Sequence, residues 1–482
     1  MRRVLLTTVL SLSIIGCSQK DQKNSPEGQS DTKQVITLGI GTQNTTTNTV
    51  TAGVIIRELG LLEKYLPRSG KYQNVEYRVN WQNFTSGPPV TNAMMANKLH
   101  IGMMGDYPLI INGYTFQSNP DSRSYLISLI AYNASGSGNG VVVHEDSPYY
   151  QLEDLKGKSL SVPFGSAAHG MLLKAMQDRG WPESYFKLSS QSPEVGTSNL
   201  QERKIDAHAD FVPFAELLPF RGFARKIFDG AETGVPTFHG VVVRQDFADK
   251  YPEVVVAYLK AMLAADEWVK RNPKEAAEKI AQWTGTDKEV VYIFLGPGGI
   301  MTLDPSIKSK WLETIRYDAQ VLQRMNKIKG FNPDPWVNET YLRQAFKETS
   351  LDYEKQKASM AGTVVSGEDH FCNQSIDQAL QAGEIWTSDE GISAYSSPDC
   401  TLAAYKQLQN QGKKILVAYL FDQARGTKLF ADKAFYAISD GSGDKPRLTP
   451  FLLKKDAASY VAKHGGRVAT FAEALSIAAR RT

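Results

Sequence analysis

The sequence predicts an α/β protein with open sheets, on three observations. Apolar runs of strand length alternate with segments of helical period, polar loops join strand ends to helix starts, and a helical stretch closes the series. Residues 84–108 carry the pattern most compactly. Pro88 and Pro89 follow a polar turn, and proline is tolerated in the first turn of a helix because its missing N–H has no partner there. A short helix therefore begins near Pro88 and ends at Asn97 and Lys98. Leu99 to Met104 reads as a strand buried on both faces, and Gly105, Asp106, Tyr107 and Pro108 open the next helix. The polar loops 85–87 and 105–107 thus lie beside helix N-termini, whose free N–H groups can hold a polar or anionic ligand.

Taken in order, Val35 to Ile40 is a strand, the polar row Thr42 to Thr49 is its loop, and Val50, Val54, Ile55 and Leu59 begin a helix. Val75, Tyr77, Val79 and Trp81 alternate with Glu76, Arg78 and Asn80, the period of a strand. Tyr125 to Tyr132 is the next apolar run, closed by Asn133; the Gly-rich piece 136–140 before Val141 reads either as a mobile crossing or as a hairpin. Leu152 to Lys158 leads to a strand at Ser159 to Pro163 and then to Gly165, Ser166 and His169 at the start of a helix ended by Gly180. That turn lacks the Lys and Thr of a nucleotide P-loop, which excludes ATP binding there. Ile205 to Phe211 is a strand, Pro213 opens a helix, and Phe238 to Val243 begins a return crossing. From Pro252 to Ile328 the period is helical, with Val255, Tyr258, Leu259 and Met262 on one core face and Trp311, Ile315, Ala319 and Leu322 on another.

A chain of 482 residues, 42% hydrophobic and 22% charged, is long enough for two or three globular domains. Its net charge of +3 comes from 54 basic and 51 acidic residues with no basic stripe, which excludes a nucleic-acid footprint. Met1, Arg2 and Arg3 followed by the apolar run Val4 to Ile15 form a secretory signal too short for an ordinary membrane span. It ends in Ile14-Ile15-Gly16-Cys17, which resembles the lipobox of bacterial lipoproteins; residues 1–17 are then signal and lipobox, and Cys17 is the lipidated first residue of the mature chain. This places the protein on the periplasmic or extracytoplasmic side of a bacterial cell envelope, held at the membrane by its lipid. Residues 18–34 are expected to be a flexible tether. Cys372 and Cys400 are the two thiols left in an exported chain, and a disulfide between them is expected.

Residues 35–345 resemble the periplasmic solute-binding proteins of ABC importers, in the nitrate, sulfonate, taurine and thiamine-precursor branch. Three landmarks carry the likeness: Ser86-Gly87-Pro88 with Gly105-Asp106, Asp154-Leu155-Lys156-Gly157-Lys158 with Gly165-Ser166, and Ile205-Asp206-Ala207. The resemblance implies a two-lobed periplasmic binding protein fold of type II, lobe one being 35–137 with 238–345 and lobe two 138–237. It implies a small-molecule solute held in the cleft, an ABC permease and its ATPase as partners, and no cofactor. The ligand-binding positions it implies are Gln43, Asn44, Thr45, Thr46, Ser86, Gly87, Asp106, Tyr107 and Asn133 from lobe one, and Gly165, Ser166, His169 and Asp210 from lobe two. His169 and Asp106 are expected to face one cleft from opposite lobes, His169 being neutral because a helix N-terminus disfavours imidazolium. No Arg or Lys falls on these loops, and Asp106 and Asp210 oppose an anion, so the residues favour a neutral, zwitterionic or amine-bearing ligand.

Catalysis on the same fold, as in a family making the thiamine pyrimidine, would need clustered His and Cys. His100, His144, His169, His208 and His239 are scattered, and 35–345 contains no cysteine, so binding rather than an enzyme is expected. After a linker at 346–368, residues 369–482 resemble the NosL family of copper-binding accessory lipoproteins. Phe371-Cys372, the stretch from Pro398 to Tyr405, Asp432 to Ala437, and Ala457 to Val468 carry that likeness. The family's Cys-Gly-Met and Pro-Met-Gly are here Cys372-Asn373-Gln374 and Pro446-Arg447-Leu448. With both soft thioether ligands gone, no metal ligands are assigned, and copper handling stands as the alternative function. From its residues alone this part reads as a small α+β domain.

Overall fold

The computed structural model describes residues 33–439 and 446–478; the signal, Cys17 and the tether as far as residue 32 lie outside the described residues. Four strands come first: β1 (Gln34–Thr42), β2 (Val75–Asn83), β3 (Ile101–Gly105) and β4 (Ser124–Asn133). The chain then leaves for β5 (Gly140–His144), β6 (Ser159–Val162), β7 (Lys187–Ser190), β8 (Ala207–Asp210) and β9 (Ala224–Asp229). It returns as β10 (Thr237–Arg244) and β11 (Thr302–Leu303). Two sheets result, one ordered β11-β4-β10-β3-β1-β2 and the other β7-β6-β8-β5-β9. In the first, β1 runs parallel to β2 and β3 while β10 inserts antiparallel between β3 and β4; in the second, β6 runs parallel to β7 and β8 while β5 is antiparallel to β8 and β9. These sheets with their flanking helices are the two lobes.

The lobes are joined by two crossings, one after β4 and one after β9. They lie backbone to backbone: a Cβ on Gly136 would fall 2.2 Å from the carbonyl oxygen of Val235, and one on Gly230 would fall 2.3 Å from that of Gly136. Such an approach admits only glycine. Burial of β3 is complete along its length, as its apolar run requires, and the helix Gly87–Met95 packs on it through Val90 and Met94. The helices Pro252–Arg271 and Ser309–Arg324 bury their periodic faces, including Tyr258, Met262, Trp311 and Ile315.

Residues 346–368 are not a free linker. They include the end of the helix Thr340–Glu348 and the helix Tyr353–Ala358, and the buried Tyr353 hydroxyl donates to Glu339 at 2.7 Å. Beyond them lie a four-stranded sheet (Gly391–Tyr395, Gly383–Thr387, Ile415–Phe421, Lys428–Phe430) and a three-stranded one (Arg447–Phe451, Phe435–Ser439, Arg467–Ala469). Three helices accompany them, the first capped by Ser397, which accepts the Cys400 N–H at 3.1 Å. A disulfide joins Cys372 to Cys400.

Candidate functional site

The segments that follow β2 and β3 meet the start of the helix Ala167–Asp178, which belongs to the other lobe. The meeting is close. A Cβ on Gly165 would fall 3.1 Å from Pro88, one on Gly105 would fall 3.1 Å from Ala167, and one on Gly170 would fall 2.1 Å from the Tyr107 ring. What remains between the lobes is a cavity of about 20 Å³, lined by Asp106, Tyr107, Ala167, Met171, Lys174 and Thr237 among others. That is room for roughly one water. The lobes are closed.

Asp106 sits at the centre, buried at 2% exposure. It accepts the Thr237 hydroxyl at 2.7 Å and the Tyr107 N–H at 2.8 Å. Burial pushes its carboxyl up to about 6, and those hydrogen bonds resist the rise. Tyr107 seals the cleft by lying on Gly170. Gly87 is fixed by sterics, since its Cβ would fall 2.4 Å from Pro108; Ser86 takes the N-cap position of that helix without a side-chain cap bond.

In lobe two, Gly165 has φ +79°, and Ser166 caps its helix by accepting the His169 N–H at 3.2 Å. His169 Nδ1 accepts the Gly165 N–H at 3.0 Å, so a neutral ring carries its proton on Nε2. Burial first and Lys327 second hold His169 down at about 4, which keeps the ring neutral. The ring stacks on exposed Phe164 at 4.7 Å and does not line the cavity, so Asp106 and His169 occupy the centre and the rim of the cleft respectively.

Three expected ligand contacts are committed elsewhere. Asn133 Oδ1 accepts from Ser135, Gly136 and Ser137 and its amide donates to the Ile300 carbonyl at 2.6 Å, so it builds the first crossing. Asp210 is fully buried with its carboxylate on His208 at 2.8 Å and on the Phe211 N–H at 2.8 Å. Residues two apart on a strand share a face, which turns Asp210 back along β8 and into lobe two. Gln43 is buried and donates to the Met103 carbonyl at 2.8 Å within its own lobe. Asn44 takes a Thr42 hydroxyl at 2.8 Å and offers its N–H to Asn83; Thr45 is half-buried beside it, and the Thr46 hydroxyl is buried with no partner.

Sequence reasoning missed Lys174, Thr237, His239 and Asp318. Lys174 lines the cavity, pairs with Asp178 and lies over the Tyr317 ring at 5.7 Å. His239, pushed down to about 3 by burial, contacts Asn48 at 3.2 Å. Asp318, on the long helix Ser309–Arg324, is wholly buried beside Tyr107 and Asp106; burial first and the Asp106 charge second raise its carboxyl well above the usual range, while the Tyr107 hydroxyl pulls the other way. The interruption of an apolar helix face by an acid was its one sequence signal. In the C-terminal part, Asp369 lies within 4.8 Å of both cysteine sulfurs, but the sulfurs are bonded to each other and the carboxylate accepts from Phe371, Cys372 and Ser396.

Residues 123–276 match the model of the NMT1/THI5-like family. Over 355 residues, 72% of this chain and 97% of the other, the chain is 26% identical to a putative aliphatic sulfonates-binding protein of Bacillus subtilis (strain 168). It is 29% identical to the taurine-binding periplasmic protein of Escherichia coli (strain K12) over 219 residues, 43% of this chain and 64% of that one. Among solved structures, the alkanesulfonate-binding protein SsuA from Xanthomonas axonopodis pv. citri, bound to MOPS, superposes with a TM-score of 0.53 at 20% identity, covering 63% of this chain and 98% of that chain. The periplasmic nitrate-binding protein NrtA from Synechocystis PCC 6803 gives 0.51 at 15% identity, covering 68% and 92%. The fold is that of the periplasmic binding proteins. Among the described residues no helix is long and apolar enough to cross a membrane.

Proposed function

We propose that this chain, NMT1/THI5-like over residues 123–276, is the solute-binding component of an ABC importer and captures a small zwitterionic aminosulfonate of the taurine type between its lobes. The observation that carries the reading is the convergence of Gly87, Gly105 and Gly165 with their helix starts around the buried Asp106. Helix N-termini from both lobes suit a sulfonate, and the carboxylate of Asp106 suits an ammonium. The names of the sulfonate- and taurine-binding relatives supply the ligand class. Asp106 adds the amine: its carboxylate accepts only neutral donors, from Thr237, Tyr107 and Phe238, while Lys174, which also lines the cavity, is paired with Asp178. In this reading Cys17 carries the lipid that holds the protein beside its permease, and closing on the solute presents both lobes to that permease.

Titration calorimetry with taurine, ethanesulfonate and ethylamine tests it. Taurine is expected to bind more tightly than either half-molecule, and Asp106→Asn is expected to lower taurine affinity tenfold or more while leaving ethanesulfonate nearly unchanged. Absence of taurine binding, or ethanesulfonate binding as tightly as taurine, would overturn the assignment.

A further inference from the structure

A second cavity, of about 300 Å³, lies on the far side of lobe two, where the helix Phe214–Phe220 and strand β9 face the C-terminal part. This is the size at which small-molecule sites begin. Its walls are apolar: Pro219 from lobe two, and Leu429, Phe430, Phe435 and Phe471 from the C-terminal part. Polar groups sit among them, and almost all are already occupied. Lys226 bonds Glu216 Oε1 and, at 2.7 Å, Asp229. Arg225 donates to the carbonyls of Tyr149 and Ser147 and lies over the Tyr150 ring at 3.8 Å. Lys428 bonds Glu384 and the Pro297 carbonyl. Glu145, Asp432 and Lys433 stand at the exposed rim.

One group is left over. Glu216 is 6% exposed, and its second carboxylate oxygen, Oε2, is buried with no hydrogen-bond partner. A buried carboxylate oxygen without a donor is costly, and native proteins rarely retain one without use. The charges agree. Lys226 is shared between two acids, Glu216 and Asp229, so the cluster can take one further cation but has no free cation to meet an anion. We propose that this cavity is a binding site for a compact apolar molecule bearing a primary amine, which donates to Glu216 Oε2 while its body packs against the apolar walls. The site is independent of the cleft between the lobes. It is completed only by the C-terminal part, so the ligand bridges that part to lobe two.

Phenethylamine is the probe, with 3-phenylpropionate as the anion of similar size, both titrated into the full chain by calorimetry in the presence of saturating taurine. The amine is expected to bind saturably at one site and the acid at least tenfold more weakly. Leu452→Trp, which adds bulk at a half-buried wall position, is expected to abolish amine binding, and Glu216→Gln to weaken it tenfold or more. No saturable binding of phenethylamine, equal binding of amine and acid, or unchanged binding to Leu452→Trp would overturn the proposal. Should Glu216→Gln fail to fold, the other two comparisons still decide.

Discussion

The protein contains two junctions built on opposite principles. Between the lobes the contact is thin: glycines let Pro88, Ala167 and Tyr107 close on facing backbone, and the ion pair across the rim, Lys327 with Glu183, is exposed. Between the C-terminal part and the lobes the contact is deep. Lys428 is fully buried on Glu384, the Tyr292 hydroxyl of lobe one donates to that same carboxylate at 2.8 Å, and the Tyr419 hydroxyl donates to the Glu289 carbonyl at 2.8 Å. The Phe430 ring meets Phe220 of lobe two at 5.2 Å, and the Thr427 hydroxyl meets Ser137 of the first crossing at 2.8 Å. Opening the deep junction strips the Tyr292 hydroxyl and the Pro297 carbonyl from the buried Lys428–Glu384 pair, whereas a junction held by close glycine contacts and a screened ion pair separates cheaply. The first suits a fixed brace behind the hinge, the second a cleft that opens and closes.

The comparison is broken most forcefully at Lys428. Lys428→Met leaves Glu384 buried without its counter-charge, and the expected loss is about 3 to 5 kcal/mol in chemical denaturation. Replacing both residues by apolar ones should recover most of it. A loss below 1 kcal/mol for the single variant would mean the deep junction is not deep in energy.

The disulfide comes next. Cys372 and Cys400 close a loop with a sequence separation of 28, which contributes about 3 kcal/mol by restricting the unfolded chain. If the C-terminal part unfolds together with the lobes, adding a reductant should lower a single melting transition. If the deep junction does not couple them, a separate early transition should split off, and calorimetric scans distinguish the two.

At the thin junction, Gly170→Ala is expected to leave the lobes folded, because alanine favours the helix, yet to hold them apart, because its methyl would meet the Tyr107 ring. If taurine is the solute, as proposed, its affinity should fall tenfold or more, and scattering should report larger dimensions than the parent at saturating taurine. Equal dimensions and affinity would show that the closed contact is not needed.

The contrast also marks what the sequence could convey. Strands, the helix starts at Pro88, Asp106 and Ser166, and the loops that meet in the cleft were legible because prolines, glycines and periodicity act locally. The partners of Asn133 and Asp210 were not legible, because each side chain selects a partner that periodicity does not name, the Ile300 carbonyl for one and His208 for the other. The whole deep junction was illegible: Lys428, Glu384 and Tyr292 come together across long separations in the chain, and each alone looks like a surface residue in sequence. The site's charge balance suffered likewise, since Asp318 and Lys174 come from helices read only as core.

The smallest expected effect is at the rim. Lys327 and Glu183 lie 3.3 Å apart, with side chains 37% and 59% exposed, so Lys327→Ala should weaken closure by under about 1 kcal/mol, and the difference from the parent should shrink further in high salt. A more sensitive reporter sits beside it. Burial and the Lys327 charge hold His169 at about 4, below the 6.5 of a free histidine, while Glu183 pulls the other way. Because its folded pKa is depressed, the unfolded chain takes up the proton first as pH falls, so His169 destabilises the fold progressively between about pH 6.5 and 4 and has no effect above that window. Removing the Lys327 charge leaves Glu183 acting alone against burial, so the His169 midpoint should move up toward 6.5 without reaching it. The acid-side loss of stability should then begin at the same pH and be smaller. Proton resonances of the His169 ring followed through a pH titration give the midpoint directly, and a midpoint identical in parent and Lys327→Ala would show that the rim charge does not reach the ring, leaving burial as the whole cause.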